Sequence, residues 1–67
     1  MSTQDALRLL ADVAVRQGTA DPEWDRDRLG LTIIDTLNVH IGSVAHMPER
    51  ELQSLACAYA TREARGA

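Results

Sequence analysis

The 67-residue chain is one domain at most, carries a formal net charge of −3, and draws all seven of its cationic side chains from arginine. A chain this short hides only about 60% of the surface its unfolded form exposes, so its core calls for a disulfide, a metal or another subunit. The single cysteine, Cys57, excludes an intrachain disulfide and offers no CxxC or Cys/His cluster for structural zinc, and the acidic balance counts against a general polyanion binder.

Leucine, valine, isoleucine and ten alanines supply nearly all of the apolar content; there is no Phe, one Trp (Trp24) and one Tyr (Tyr59). Small aliphatic side chains suit closely packed helices, because alanine has the best helix propensity and lets neighbouring backbones approach. A β-sandwich of this length would carry more aromatics and more turn residues. The expected class is all-α, a small three-helix protein completing its core as a homodimer or with a partner protein. Abundant Ala, Asp and Arg hint at a GC-rich bacterial or phage genome. No apolar run approaches the roughly 20 residues that span a bilayer, and "MSTQDALRLL" lacks the basic opening of a signal peptide; a cytoplasmic location with no membrane contact is expected.

The first helix is expected over 3–17. Ser2 and Thr3 suit an N-cap, Asp5 places negative charge in the first turn, and Gly18 stands where a C′ glycine belongs. Asp5, Arg8, Asp12 and Arg16 fall on one stripe with alternating sign, which predicts a solvated ladder of weak pairs. Ala6, Leu7, Leu9, Leu10, Ala11, Val13 and Ala14 make an apolar face wider than the ~100° stripe of a surface helix. That width predicts more surface than one neighbour covers.

"DPEW" reads as the start of a second helix, with Asp21 as N-cap and Pro22 at N1, giving a helix over 22–46. Trp24 is either an anchor over the end of the core or an interface hot spot. "LNVHI" alternates like a strand, but the alternation fails on both flanks, whereas Leu29, Ile33, Ile34, Leu37, Ile41, Val44 and Ala45 follow the helical period. Leu31 and Val39 project from the polar side near the angular position of Trp24, which makes this a helix contacted from two sides. Gly30 and Gly42 each weaken the helix or permit a close helix crossing, or Gly42 marks a kink or an early end.

Pro48 closes the second helix and opens a third over 48–64, with Glu49 and Glu51 in its first turn and Leu52, Leu55, Ala56 and Tyr59 as its apolar stripe. Cys57, among alanines, reads as a small core or semi-buried residue.

Chemistry is sparse. His40 sits at the edge of the second helix's apolar face without a carboxylate partner or cleft to make it a base. His46 is six residues on and faces elsewhere, so His40, His46 and Cys57 do not form a ligand set; no metal, cofactor or catalytic residue is assigned. Asp12, Asp21, Asp25 and Asp27 lack the spacing of a calcium loop, and no glycine-rich phosphate loop, nucleophile elbow or HExxH is present.

"MPERELQSLACAYATREA", residues 47–64, resembles the first half of the helix-turn-helix of LuxR-type regulators and of region 4 of sigma factors: proline, then Glu49-Arg50-Glu51, Leu52 and Leu55, and Thr61-Arg62-Glu63 near the turn. The resemblance implies a recognition helix after the turn, for which the 67 residues leave no room, and no DNA-contacting role is carried over from it. The expected function is a non-enzymatic helical interaction module, a regulator, adaptor or accessory subunit acting by self-association or by docking on a larger protein. The predicted interface is Leu9, Val13, Trp24, Leu31, Val39 and His40. The alternative is a dimeric DNA-binding regulator with Arg26, Arg28 or the Arg50/Arg62/Arg65 end near phosphates.

Overall fold

The computed structural model describes residues 2–18 and 20–66, and these form three α-helices and one 3-10 segment, with no strand among them. Helix α1 spans Thr3–Arg16, α2 spans Arg26–Leu37, the 3-10 segment spans Ile41–His46, and α3 spans Glu49–Gly66. The all-α class is therefore observed, with different bounds in the middle of the chain.

Local chemistry sets each boundary. The Asp5 amide donates to Ser2 Oγ at 3.1 Å, which makes Ser2 the N-cap of α1. The helix closes at Gln17, and Gly18, at φ +75°, turns the chain left-handed while its amide donates to the Val15 carbonyl. The next start differs from expectation. Asp21 caps a turn rather than a helix: its Oδ1 accepts from the Glu23 amide at 2.8 Å and its carbonyl accepts from the Trp24 amide at 3.1 Å. Asp25 is the true N-cap, accepting from the Arg28 amide, so α2 begins four residues later than the Asp-Pro signal implies.

The expected helix over 22–46 is also cut at its far end. Asn38 adopts the left-handed conformation (φ 56°, ψ 41°), the Val39 amide donates to the Ile34 carbonyl at 3.0 Å, and the Asn38 amide donates to Asp35 at 3.1 Å. That pair of bonds is a Schellman motif, here with asparagine where glycine is commonest, and Ile34 with Val39 as the expected hydrophobic contact. His40 is extended (φ −69°, ψ 124°), after which Ile41–His46 winds more tightly as a 3-10 turn. "LNVHI" is thus neither strand nor continuous helix but a helix stop followed by a short extended link. Pro48 sits outside α3, its carbonyl accepting from the Leu52 amide.

Helix α1 lies at the centre, packed against α2, the 3-10 segment and α3. Ala6, Leu7, Leu10, Ala11, Val13 and Ala14 are buried on it, opposite Leu29, Ile33 and Ile34 of α2, Val44 of the 3-10 segment, and Leu52, Ala56 and Tyr59 of α3. Three elements of the chain thus cover Ala6, Leu7, Leu10, Ala11, Val13 and Ala14 of that broad apolar face, while Leu9 stays partly exposed.

The α1–α2 crossing is set by one residue. A β-carbon on Gly30 would stand 2.5 Å from the Leu7 carbonyl oxygen and 2.9 Å from its carbon. Backbone meets backbone there, and no rotamer change relieves the clash. The polar stripe of α1 also differs from expectation. Its charges reach across to other elements rather than along the helix: Arg8 Nε to Asp27 at 2.7 Å, Asp12 to Arg26 Nε at 2.7 Å, and Arg16 to Glu49 at 3.4 Å. Arg8 makes a second bond to Asp27, which also accepts from Gln4 Nε2; these hydrogen bonds hold the Asp27 carboxyl below its ordinary value. Cys57 is exposed, its thiol donating to Gln17 Oε1 at 3.3 Å, so it is not a core residue.

Gly30→Ala will destabilise the fold. In an open helix interior the change would gain about 0.5–1 kcal/mol of propensity, but overpacking costs about 1–3 kcal/mol. A net loss near 1–2 kcal/mol is expected in urea unfolding, and each kcal/mol is worth roughly 4–8 °C in Tm for a domain of this size; equal or greater stability would refute the close crossing.

Tyr59 makes a second test. Burial first, and the charge of Glu63 second, raise its phenol above the ordinary value of 10.0. The folded state therefore retains the phenolic proton longer than the unfolded chain does. Stability is held below pH 10.0 and falls as pH climbs above it. Tyr59→Phe is expected to flatten that alkaline loss when unfolding is followed by circular dichroism, and an unchanged alkaline limb would refute the assignment.

Candidate interaction surface

Among the described residues three large hydrophobic side chains stay exposed: Trp24 at 51%, Leu31 at 47% and Ile41 at 43%. Single exposed hydrophobics are ordinary, so the arrangement matters more than the number. Leu31 and Ile41 line one surface depression together with Ile34, Asp35, Asn38, Val39 and His40. The Schellman turn creates this site. By reversing the chain after Leu37, it lays Val39, His40 and Ile41 back beside the last turns of α2, against Leu31 and Ile34.

Trp24 occupies a second depression with Asp25, Arg28, Leu29 and Thr32, at the opposite end of α2. The exposed α2 positions Arg28, Leu31, Thr32 and Asp35 run between the two depressions. Trp24 lies in the turn ahead of α2, not inside a helix, and its place is fixed by Arg26. The Arg26 guanidinium donates to Asp12 Oδ1 at 2.7 Å, to the Pro22 carbonyl at 3.0 Å and to the Trp24 carbonyl at 2.9 Å. One side chain thereby ties the turn to α1.

His40 is exposed and beyond the end of α2, not on its apolar face. Its imidazole folds over Gly42: a β-carbon there would meet His40 Cε1 at 3.0 Å and Nδ1 at 3.2 Å. Gly42 thus leaves room for the ring.

Of the six interface residues expected from sequence, Leu31, Val39 and His40 come together in one depression and Trp24 lies in another, at the opposite end of α2. Leu9 does not join them; it lines a different surface with Asp12, Val15, Arg16, Arg26 and Glu49. Val13 is a correction. It is 2% exposed, enclosed by the other helices, and has no surface to offer a partner. Ile41 was missed as a site residue because the helical period assigns it to the core. The signal that could have found it is Asn38, the residue other than glycine that best tolerates the left-handed stop.

The arginines bear on the DNA-binding alternative. Arg26 is committed to Asp12 and two carbonyls, as Arg8 and Arg16 are to Asp27 and Glu49. Arg62 and Arg65 line a small depression with Leu37, Ala58 and Thr61 at the far end of α3. Among the described residues no group of three or more His, Cys, Asp or Glu side chains could hold a metal ion, and no helix is long and apolar enough to cross a membrane.

Arg26→Ala will free the turn while sparing the core. Indole fluorescence anisotropy of Trp24 is expected to fall, with stability reduced by no more than about 1 kcal/mol, since exposed ion pairs contribute little; unchanged anisotropy would show that Arg26 does not hold the indole. Comparison with protein-family models, with curated proteins and with solved structures finds no match to this chain.

Proposed function

We propose that the protein is a non-enzymatic helical interaction module, acting by self-association or by docking on a larger protein through the exposed side of α2. The observation that carries this reading is the convergence of Leu31, Val39 and Ile41 in one depression, with Leu31 and Ile41 almost half exposed. Leu31 and Ile41 lie outside the chain's own buried core. Trp24, in the depression at the other end of α2, adds the aromatic type that most often dominates binding energy at interfaces. The module supplies shape and adhesion; no residue is given a catalytic role.

Leu31→Gln combined with Ile41→Thr tests the reading, since both positions face solvent and tolerate polar side chains. The double variant should keep its helical circular dichroism and lose, against the unaltered chain, the proteins retained in affinity capture from the native host, or lose its dimer in light scattering. Equal retention by both chains, or a monomer that retains nothing, would defeat the proposal.

A further inference from the structure

Which occupant suits the exposed side of α2 is decided by area and by charge. Even at the aromatic upper bound of about 250 Å² for a whole side chain, three half-exposed residues amount to less than about 400 Å². A stable subunit interface needs about 800 Å² from each partner. A second copy seated here would have to bury the polar residues around the three anchors as well, and the charged residues within 21–35 are mostly acidic.

Within residues 21–35, Arg26 and Asp27 are neutralised by Asp12 and Arg8. What remains is Asp21, Glu23, Asp25 and Asp35 against Arg28, four carboxylates to one guanidinium, and none of the five has an ion-pair partner among the described residues. Asp25 lines the Trp24 depression and Asp35 the Leu31 depression. A two-fold dimer through this face brings two acidic patches together, and with one free guanidinium per copy, Arg28, the excess carboxylates repel. The same carboxylates attract a partner of opposite charge.

We infer that this face docks a short basic amphipathic segment of another protein, with apolar anchors seated beside Leu31, Val39 and Ile41 and beside Trp24, and with Arg or Lys placed against Asp25 and Asp35. The inference rests on the interaction reading above and names the chemistry of its partner. The anchors supply adhesion, and the acidic rim selects the partner and speeds its arrival. The chain itself stays monomeric.

The test uses the full chain and a displayed library of random short peptides, selected at low salt, with the enriched sequences then synthesised and titrated by Trp24 fluorescence. The expected consensus has Arg or Lys flanking apolar residues at helical spacing. Its binding should weaken at least tenfold in Leu31→Gln/Ile41→Thr, and several-fold in Asp25→Asn/Asp35→Asn, where asparagine preserves the α2 cap. Added salt should weaken the unaltered chain more than the Asp→Asn variant. An acidic or uncharged consensus that still depends on Leu31 and Ile41 would overturn the charge inference while leaving an interaction module. Peptides indifferent to Leu31 and Ile41, or no enrichment at all, would overturn both. A dimer in light scattering that Leu31→Gln/Ile41→Thr abolishes would replace the foreign segment with a second copy and overturn the inference.

Discussion

The contact of Gly30 with the Leu7 carbonyl determines how the rest of the molecule can be built. With hydrogen in place of a side chain, α2 approaches the backbone of α1 closely enough for Leu29, Ile33 and Ile34 to reach the α1 face, where Leu10 and Val13 fill the space between. Interiors packed like crystals leave no slack at such a point. The glycine lowers local helix propensity, and the crossing it permits more than offsets that loss. Because α1 and α2 sit so close, α3 and the 3-10 segment can close the remaining sides of α1 with few large residues, Leu52, Tyr59 and Val44 among them. This explains how a chain without phenylalanine encloses its own core.

Charge on the surface acts through position more than through energy. Arg8, Asp12 and Arg16 each bind a partner outside α1, at the start of α2 or of α3. Pairs of this kind are solvated and individually weak, and they link α1 to the first turns of its neighbours. Arg26 adds two carbonyl contacts to its ion pair and so fixes the turn that carries Trp24. By using Arg26 and Asp27 internally, the pairs also decide which charges are left over, and the remainder on the α2 side is acidic.

The region with functional promise arises from a stop rather than from a regular element. The Schellman turn at Asn38 ends α2 and returns the chain, so that Val39 and Ile41 come beside Leu31. A continuous helix would have spread the same residues along three turns and placed Ile41 inward. The interaction surface and the helix terminus have one cause.

The periods and end signals of the chain were enough to determine the helical class, a cap at Ser2 or Thr3, the turn at Gly18 and the helix after Pro48, since each depends on residues within a few positions of one another. Leu31 and Val39 were legible as misfits on a helical face, and Trp24 as an aromatic in need of an explanation. Tertiary structure alone decided that Asp25 and not Asp21 starts α2, that the helix stops at Asn38, that Val13 is enclosed while Ile41 is not, and that three elements pack over α1. The physical reason is common to all four. Asp21 and Asp25 are both competent caps, and an asparagine can sit within a helix or end it. An aliphatic side chain on a periodic stripe is buried only if another element arrives over it, and that arrival depends on the α1–α2 distance set at Gly30, which no local pattern encodes.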